Sequence, residues 1–126
     1  MKHSGPPGEQ HYEGVFPSAR KNGQIYYRAS LTYRRKHISL GSYKDPERAH
    51  HAYLEGLRLL NARRTVLEDY TEDSPLPFEK WVCLTNFRDN GIYFGNPIYM
   101  GQRLFYYYLS PTHVLKFDLD DLFYYS

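Results

Sequence analysis

From Tyr27 to Tyr33 apolar and polar residues alternate, with Tyr27, Ala29, Leu31 and Tyr33 set against Arg28, Ser30 and Thr32. A period of two sends successive side chains to opposite faces, so this run reads as a strand buried on one side. The run from His37 to Gly41 repeats the pattern, with Ile38 and Leu40 on one face and His37, Ser39 and Gly41 on the other. Upstream, Gly14-Val15-Phe16 supplies a shorter strand. Asn22-Gly23 marks the first turn, and the connector around Arg34 and Arg35 closes the second hairpin.

After Tyr43 the period becomes helical. Asp45 suits an N-cap, Pro46 the first helical position, and Glu47 the positive end of the helix dipole. Ala49, Ala52, Tyr53, Gly56, Leu57 and Leu60 follow the 3-and-4 spacing of one face. Small residues on that face let a helix lie close on a sheet. The expected fold class is α+β: a three-stranded antiparallel sheet packed on one amphipathic helix over residues 12–62, preceded by a flexible tail over 1–11. The acidic, Pro-containing stretch 63–77 reads as a linker. An aromatic-rich α+β unit follows over 78–126, and its ending on apolar rings suggests truncation or a partner surface. Within it Phe78 to Gly91 admits a helix or a hairpin, RLFYYYL admits helix or strand, and IYF, PIYM and VLKFD read as strands.

Length and composition narrow the classes. The chain has 126 residues, room for one ordinary domain or two very small ones, and 17% of it is aromatic. Cys83 is the single cysteine, so neither an internal disulfide nor a thiolate zinc site can form. With no apolar run near the roughly 18 residues of a spanning helix and no secretory leader pattern at the start, a cytoplasmic, non-membrane protein is expected.

Net charge is +2, but it is unevenly spread. Up to Arg64 there are 12 basic and 5 acidic residues, and beyond it 4 and 9. Between Gly14 and Lys44 stand seven basic residues and no acidic one. Such a local field is where a polyanion docks.

If Ala29, Leu31, Tyr33, Ile38 and Leu40 face the helix, the opposite face of the sheet presents Arg28, Ser30, Thr32, His37 and Ser39, while Arg20, Lys21, Arg34, Arg35 and Lys36 decorate the hairpin tips. A sheet of this kind fits a DNA major groove, where Arg reads guanine bidentately, Ser or Thr reaches either base, and tip cations neutralise phosphate. The base-reading candidates are therefore Arg28, Ser30, Thr32, His37 and Ser39; the phosphate candidates are Arg20, Lys21, Arg34, Arg35 and Lys36. The alternative reading of the same pattern is a solvated face whose cations prevent edge pairing.

The segment YRASLTYRRKHISLGSYKDPERAHHAY resembles the plant ethylene-response-factor (Apetala-two type) DNA-binding domain. Gly14-Val15 is similar to its Gly-Val start, Leu40-Gly41-Ser42-Tyr43 to its strand ending, and Ala49, Ala52 and Tyr53 to its Ala-rich helix. The resemblance covers about residues 12–60 and implies a three-stranded sheet read into the major groove. Similar domains occur in bacterial and phage proteins beside homing endonuclease or integrase segments, which implies a mobile-element regulator of transcription. Phe16, Pro17 and Ser18 stand where the plant pattern has Arg, Ser30 replaces a Glu, and Ser39 replaces a DNA-contacting Trp, so sequence preference does not carry over.

No catalytic or cofactor set emerges. His50 and His51 are adjacent and diverge by about 100° on a helix, unlike an i, i+4 metal pair. Asn86, Asn90 and His113 lack the arrangement of a His-Asn-His nuclease. Asp118, Asp120 and Asp121 fit a helix start better than a Mg²⁺ site. Cys83 beside Trp81 reads as a buried thiol, and Tyr106 to Tyr108 as packing rather than base stacking. The expected function is non-catalytic binding of double-stranded DNA through residues 12–44, with no metal or cofactor and with the aromatic residues 78–126 open to a protein partner. The alternatives are a protein-interaction module, such as a mobile-element inhibitor of a CRISPR-type nuclease, or a fragment of a homing endonuclease or integrase.

Overall fold

A computed structural model describes residues 12–62 and 67–120. The predicted tail 1–11 and the residues from 121 onward, Asp121 included, lie outside the described residues. The chain divides into two units, Met1–Leu57 and Arg58–Ser126.

The first unit is the predicted antiparallel sheet in the order β1-β2-β3, with β1 Val15–Ala19, β2 Ile25–Tyr33 and β3 Lys36–Tyr43, followed by the helix α1 at Pro46–Asn61. The turn before β2 is built as its sequence asks. Asn22 Oδ1 accepts the Gln24 N–H at 2.9 Å, and Gly23 takes φ +88°. At the start of α1 the Asp45 carbonyl accepts from Ala49 at 3.2 Å, and its carboxylate pairs with Arg48 at 3.1 Å.

The face toward α1 is apolar: Val15, Ala29, Leu31, Ile38 and Leu40 are buried, as are Ala49 and Ala52 of the helix. Close approach depends on missing side chains. A Cβ on Gly56 would stand 2.8 Å from Leu31 Cδ2 and 3.1 Å from Leu40 Cδ1. On the same helix His50 stacks on Tyr53 and lies tilted against Tyr12, and its Nδ1 donates to the Glu13 carbonyl at 2.9 Å. That fixes it as a packing residue.

One irregularity separates the sheet from simple alternation. Ala29 pairs with Gly41 and Ser30 with Ser39, which leaves Leu40 as an extra residue on β3. The bulge inverts the alternation beyond it, so Gly41, at φ +117°, stands opposite Ala29, and Ser42 stands opposite Arg28.

The second unit runs from the last turn of α1. A 3-10 turn at Leu67–Asp69 leads to the helix α2 at Phe78–Asn90, then to a sheet in the order β4-β5-β6, with β4 Ile98–Met100, β5 Leu104–Ser110 and β6 His113–Asp118. Phe78 to Gly91 thus takes the helical alternative, ended by Gly91 in the left-handed conformation with its N–H on the Phe87 carbonyl. RLFYYYL takes the strand alternative. PIYM and VLKFD are strands as read, while IYF, residues 92–94, is irregular chain whose Ile92 carbonyl accepts from the Asn86 side chain instead of from a neighbouring strand.

The acidic stretch read as a linker belongs to this unit. Leu76 is buried, and Tyr70 packs edge-on against Phe78 and Trp81 at 5.1 and 5.4 Å. Rings that a composition count leaves unplaced make this core. Its polar centre is Asn86, fully buried: Nδ2 donates to the Ile92 carbonyl at 2.8 Å, and Oδ1 accepts from Asn90 Nδ2 at 2.7 Å and from the Met100 N–H at 2.8 Å.

Candidate nucleic-acid interface

The register of the first sheet lays out its outer face in rows. Phe16, Arg28 and Ser42 stand abreast on β1, β2 and β3. Ser18 and Tyr26 pair on one side of that row; Ser30 with Ser39, then Thr32 with His37, follow on the other.

Of the five base-reading candidates, Arg28, Thr32, His37 and Ser39 are exposed. Ser30 is not: it is buried at 8% exposure. The physical reason is position. Ser30 sits on the central strand with neighbours on both sides, Ser39 across on β3 and the Gly14 carbonyl, which accepts its N–H at 3.0 Å, on the other. Ser30 is therefore corrected from a reading residue to part of the floor of the face. All five phosphate candidates, Arg20, Lys21, Arg34, Arg35 and Lys36, are exposed, at the two hairpin tips.

Two of these cations lie against rings. The Arg20 guanidinium lies over the Tyr26 ring at 4.5 Å, and the Arg34 guanidinium over the Tyr33 ring at 4.9 Å. Beside Arg20 an open groove of about 430 Å³ is lined by Tyr26, Ser42, Tyr43 and Lys44 among others. Arg28, Arg34 and Arg35 form no ion pair with any described residue. The guanidiniums of Arg28 and Arg35 face solvent, and that of Arg34 is shared with the Tyr33 ring.

The second tip is strained. Arg34 and Arg35 both have positive φ, +51° and +68°. These are the central residues of a two-residue hairpin loop, where Asn-Gly is comfortable and a longer side chain costs about 1 kcal/mol or more each. Both are exposed, so no burial offsets that cost.

Sequence reasoning missed three residues of the face. Phe16 is 47% exposed beside Arg28, Tyr26 carries Arg20, and Ser42 comes outward through the bulge. Strand alternation extended from Arg28 finds Tyr26; nothing in the period finds Ser42, because a bulge leaves no mark in a two-residue pattern.

Two other residues that the sequence singles out are packed within the second unit. Burial pushes the Cys83 thiol up to about 11, and its Sγ donates to the Asn96 carbonyl at 3.2 Å, so it is no nucleophile at neutral pH. Tyr108 packs edge-on against Phe78 at 5.8 Å. Among the described residues no group of three His, Cys, Asp or Glu side chains is placed to hold a metal, and no helix is long and apolar enough to cross a membrane. Compared with protein-family models, curated proteins and solved structures, the chain matches none.

Proposed function

We propose that this protein binds double-stranded DNA without catalysing a reaction, laying the outer face of its first sheet in the major groove. The observation that carries the reading is the strained Arg34-Arg35 tip: two exposed guanidiniums, in no ion pair with any described residue, held where the backbone disfavours them within an acid-free stretch. Three strands about 4.8 Å apart span roughly 10 Å, which fits a groove about 12 Å wide. Arg28 at the centre is free for bidentate contact with guanine, Thr32, His37 and Ser39 reach neighbouring base edges, and Arg20, Lys21, Arg34, Arg35 and Lys36 neutralise phosphates. The resemblance to the ethylene-response-factor domain supports the same docking and, through its bacterial and phage forms, a role in regulating a mobile element.

The test is the salt dependence of duplex affinity. Each phosphate contact contributes about 0.9 to the log–log slope, so Arg34→Ala/Arg35→Ala should flatten it by about 1.8. Arg28→Ala should instead change base preference, by about 1 to 3 kcal/mol at one position. Unchanged affinity and slope in the double variant would turn attention to the second reading, protein binding through the second unit. That reading is favoured by the edge strand β6, where Val114, Leu115 and Phe117 are 37 to 41% exposed.

A further inference from the structure

We infer that Phe16 reads the 5-methyl group of a thymine next to the guanine contacted by Arg28, so that the preferred duplex carries thymine beside guanine at its centre. The inference rests on the DNA-binding reading and adds to it a specificity-determining residue. Phe16 is half exposed, makes no ring contact with any described residue, and stands on the outer face directly abreast of Arg28. A second strand adding to the edge would not explain it, because its neighbour Pro17 has no N–H to offer a partner strand.

Stacking on unpaired bases would not explain it either. A stacking platform needs several open rings close together; Tyr26 has the Arg20 guanidinium over it, and the His37 imidazole stands two rows away on β3, across the sheet from Phe16. What remains is an isolated apolar group in a polar, cationic row. In the major groove the apolar feature of a base edge is the thymine methyl, which Phe contacts well. Spacing agrees: directly opposed residues on paired strands have Cβ atoms about 5 Å apart, and successive bases rise about 3.4 Å, so the two side chains meet neighbouring base pairs.

The experiment uses the full chain and a duplex selected from a random library, compared with the same duplex carrying deoxyuridine for thymine, a change that removes only the methyl. Wild type should bind the thymine duplex about fourfold more tightly, the worth of one buried methyl. Phe16→Ala should bind both duplexes alike with the salt slope unchanged, and Phe16→Leu should keep most of the discrimination. Arg28→Ala should lose the guanine preference and retain the thymine–deoxyuridine difference. Equal wild-type affinity for the two duplexes, with guanine preference and salt slope intact, would overturn this inference and leave DNA binding standing. Absence of duplex binding, or tighter binding to the single strand, would overturn both.

Discussion

Gly14 rests against the ring of Tyr53, so closely that a Cβ at position 14 would fall inside the ring's van der Waals envelope. Gly14 has φ +79°, and the contact ties the start of β1 to the middle of α1. The Tyr53 ring is itself stacked on His50 at 6.0 Å, so it has little room to yield.

Gly14→Ala therefore combines two costs, an unfavourable backbone conformation and an overlap, for a destabilisation of about 3 kcal/mol. Gly23 separates them. Its φ is +88°, yet nothing lies within 4 Å of the position of its Cβ, so Gly23→Ala should cost only about 1 kcal/mol. Urea denaturation of both variants checks this; equal losses would show that backbone strain alone governs Gly14.

At the second hairpin tip, folding and binding should respond with opposite signs. Arg34→Asn/Arg35→Gly gives the loop the residues that its positive φ values favour and should stabilise the fold by about 1 to 2 kcal/mol. The same change removes two cations, so the log–log salt slope of duplex binding should flatten by about 1.8. Thermal unfolding and fluorescence anisotropy on one preparation read both quantities. A more stable protein with unaltered DNA affinity would leave the two strained arginines without a role in binding.

Much of the first unit was legible because its sequence obeys one rule per element. Alternation at Tyr27 to Tyr33 and the small-residue face of Ala49, Ala52 and Gly56 gave the sheet, the helix and the side each turns to the other. The exposure of Arg28, Thr32, His37 and Ser39 follows from the same alternation. Ser30 escaped it because period two predicts a side and not a depth, and Ser42 because the bulge at Leu40 shifts the phase. In the second unit the rings of Phe78, Trp81 and Tyr108 have no clean period. Leu76 is buried inside what composition marks as a linker, since proline and acidic residues signal irregular backbone and say nothing of whether that backbone packs.

Asn86 organises the second unit through polar contacts that no hydrophobic pattern reveals. It satisfies the Ile92 carbonyl and the Met100 N–H and holds Asn90, with no exposure of its own. Asn86→Leu leaves the Met100 N–H, on a half-buried residue, without its acceptor and should cost about 1 to 3 kcal/mol, the cost of one unsatisfied buried backbone group; Ile92 is exposed, so water can replace the donor to its carbonyl. Hydrogen exchange at Met100 is the direct readout. Retained protection of that amide would show that another acceptor had taken it over.

Tyr99 and Asp89 form the other polar joint, with opposite pH signatures. Partial burial raises the Tyr99 hydroxyl, and its donation to Asp89 Oδ2 at 2.7 Å raises it further, to about 12. Partial burial also raises the Asp89 carboxyl, but donation from Arg88 at 2.8 Å and from Tyr99 outweighs it and holds the group below its ordinary value. An unfolded tyrosine ionises near 10, so the stabilisation from Tyr99 is whole below pH 10 and is lost as pH rises toward 12. The contribution of Asp89 is whole above the unfolded carboxylate value near 4 and is lost as pH falls through its lower folded value. The absorbance of tyrosinate near 295 nm isolates the alkaline arm: wild type minus Tyr99→Phe should show one hydroxyl titrating close to 12. A difference curve centred near 10 would mean that Tyr99 does not hold Asp89 in solution.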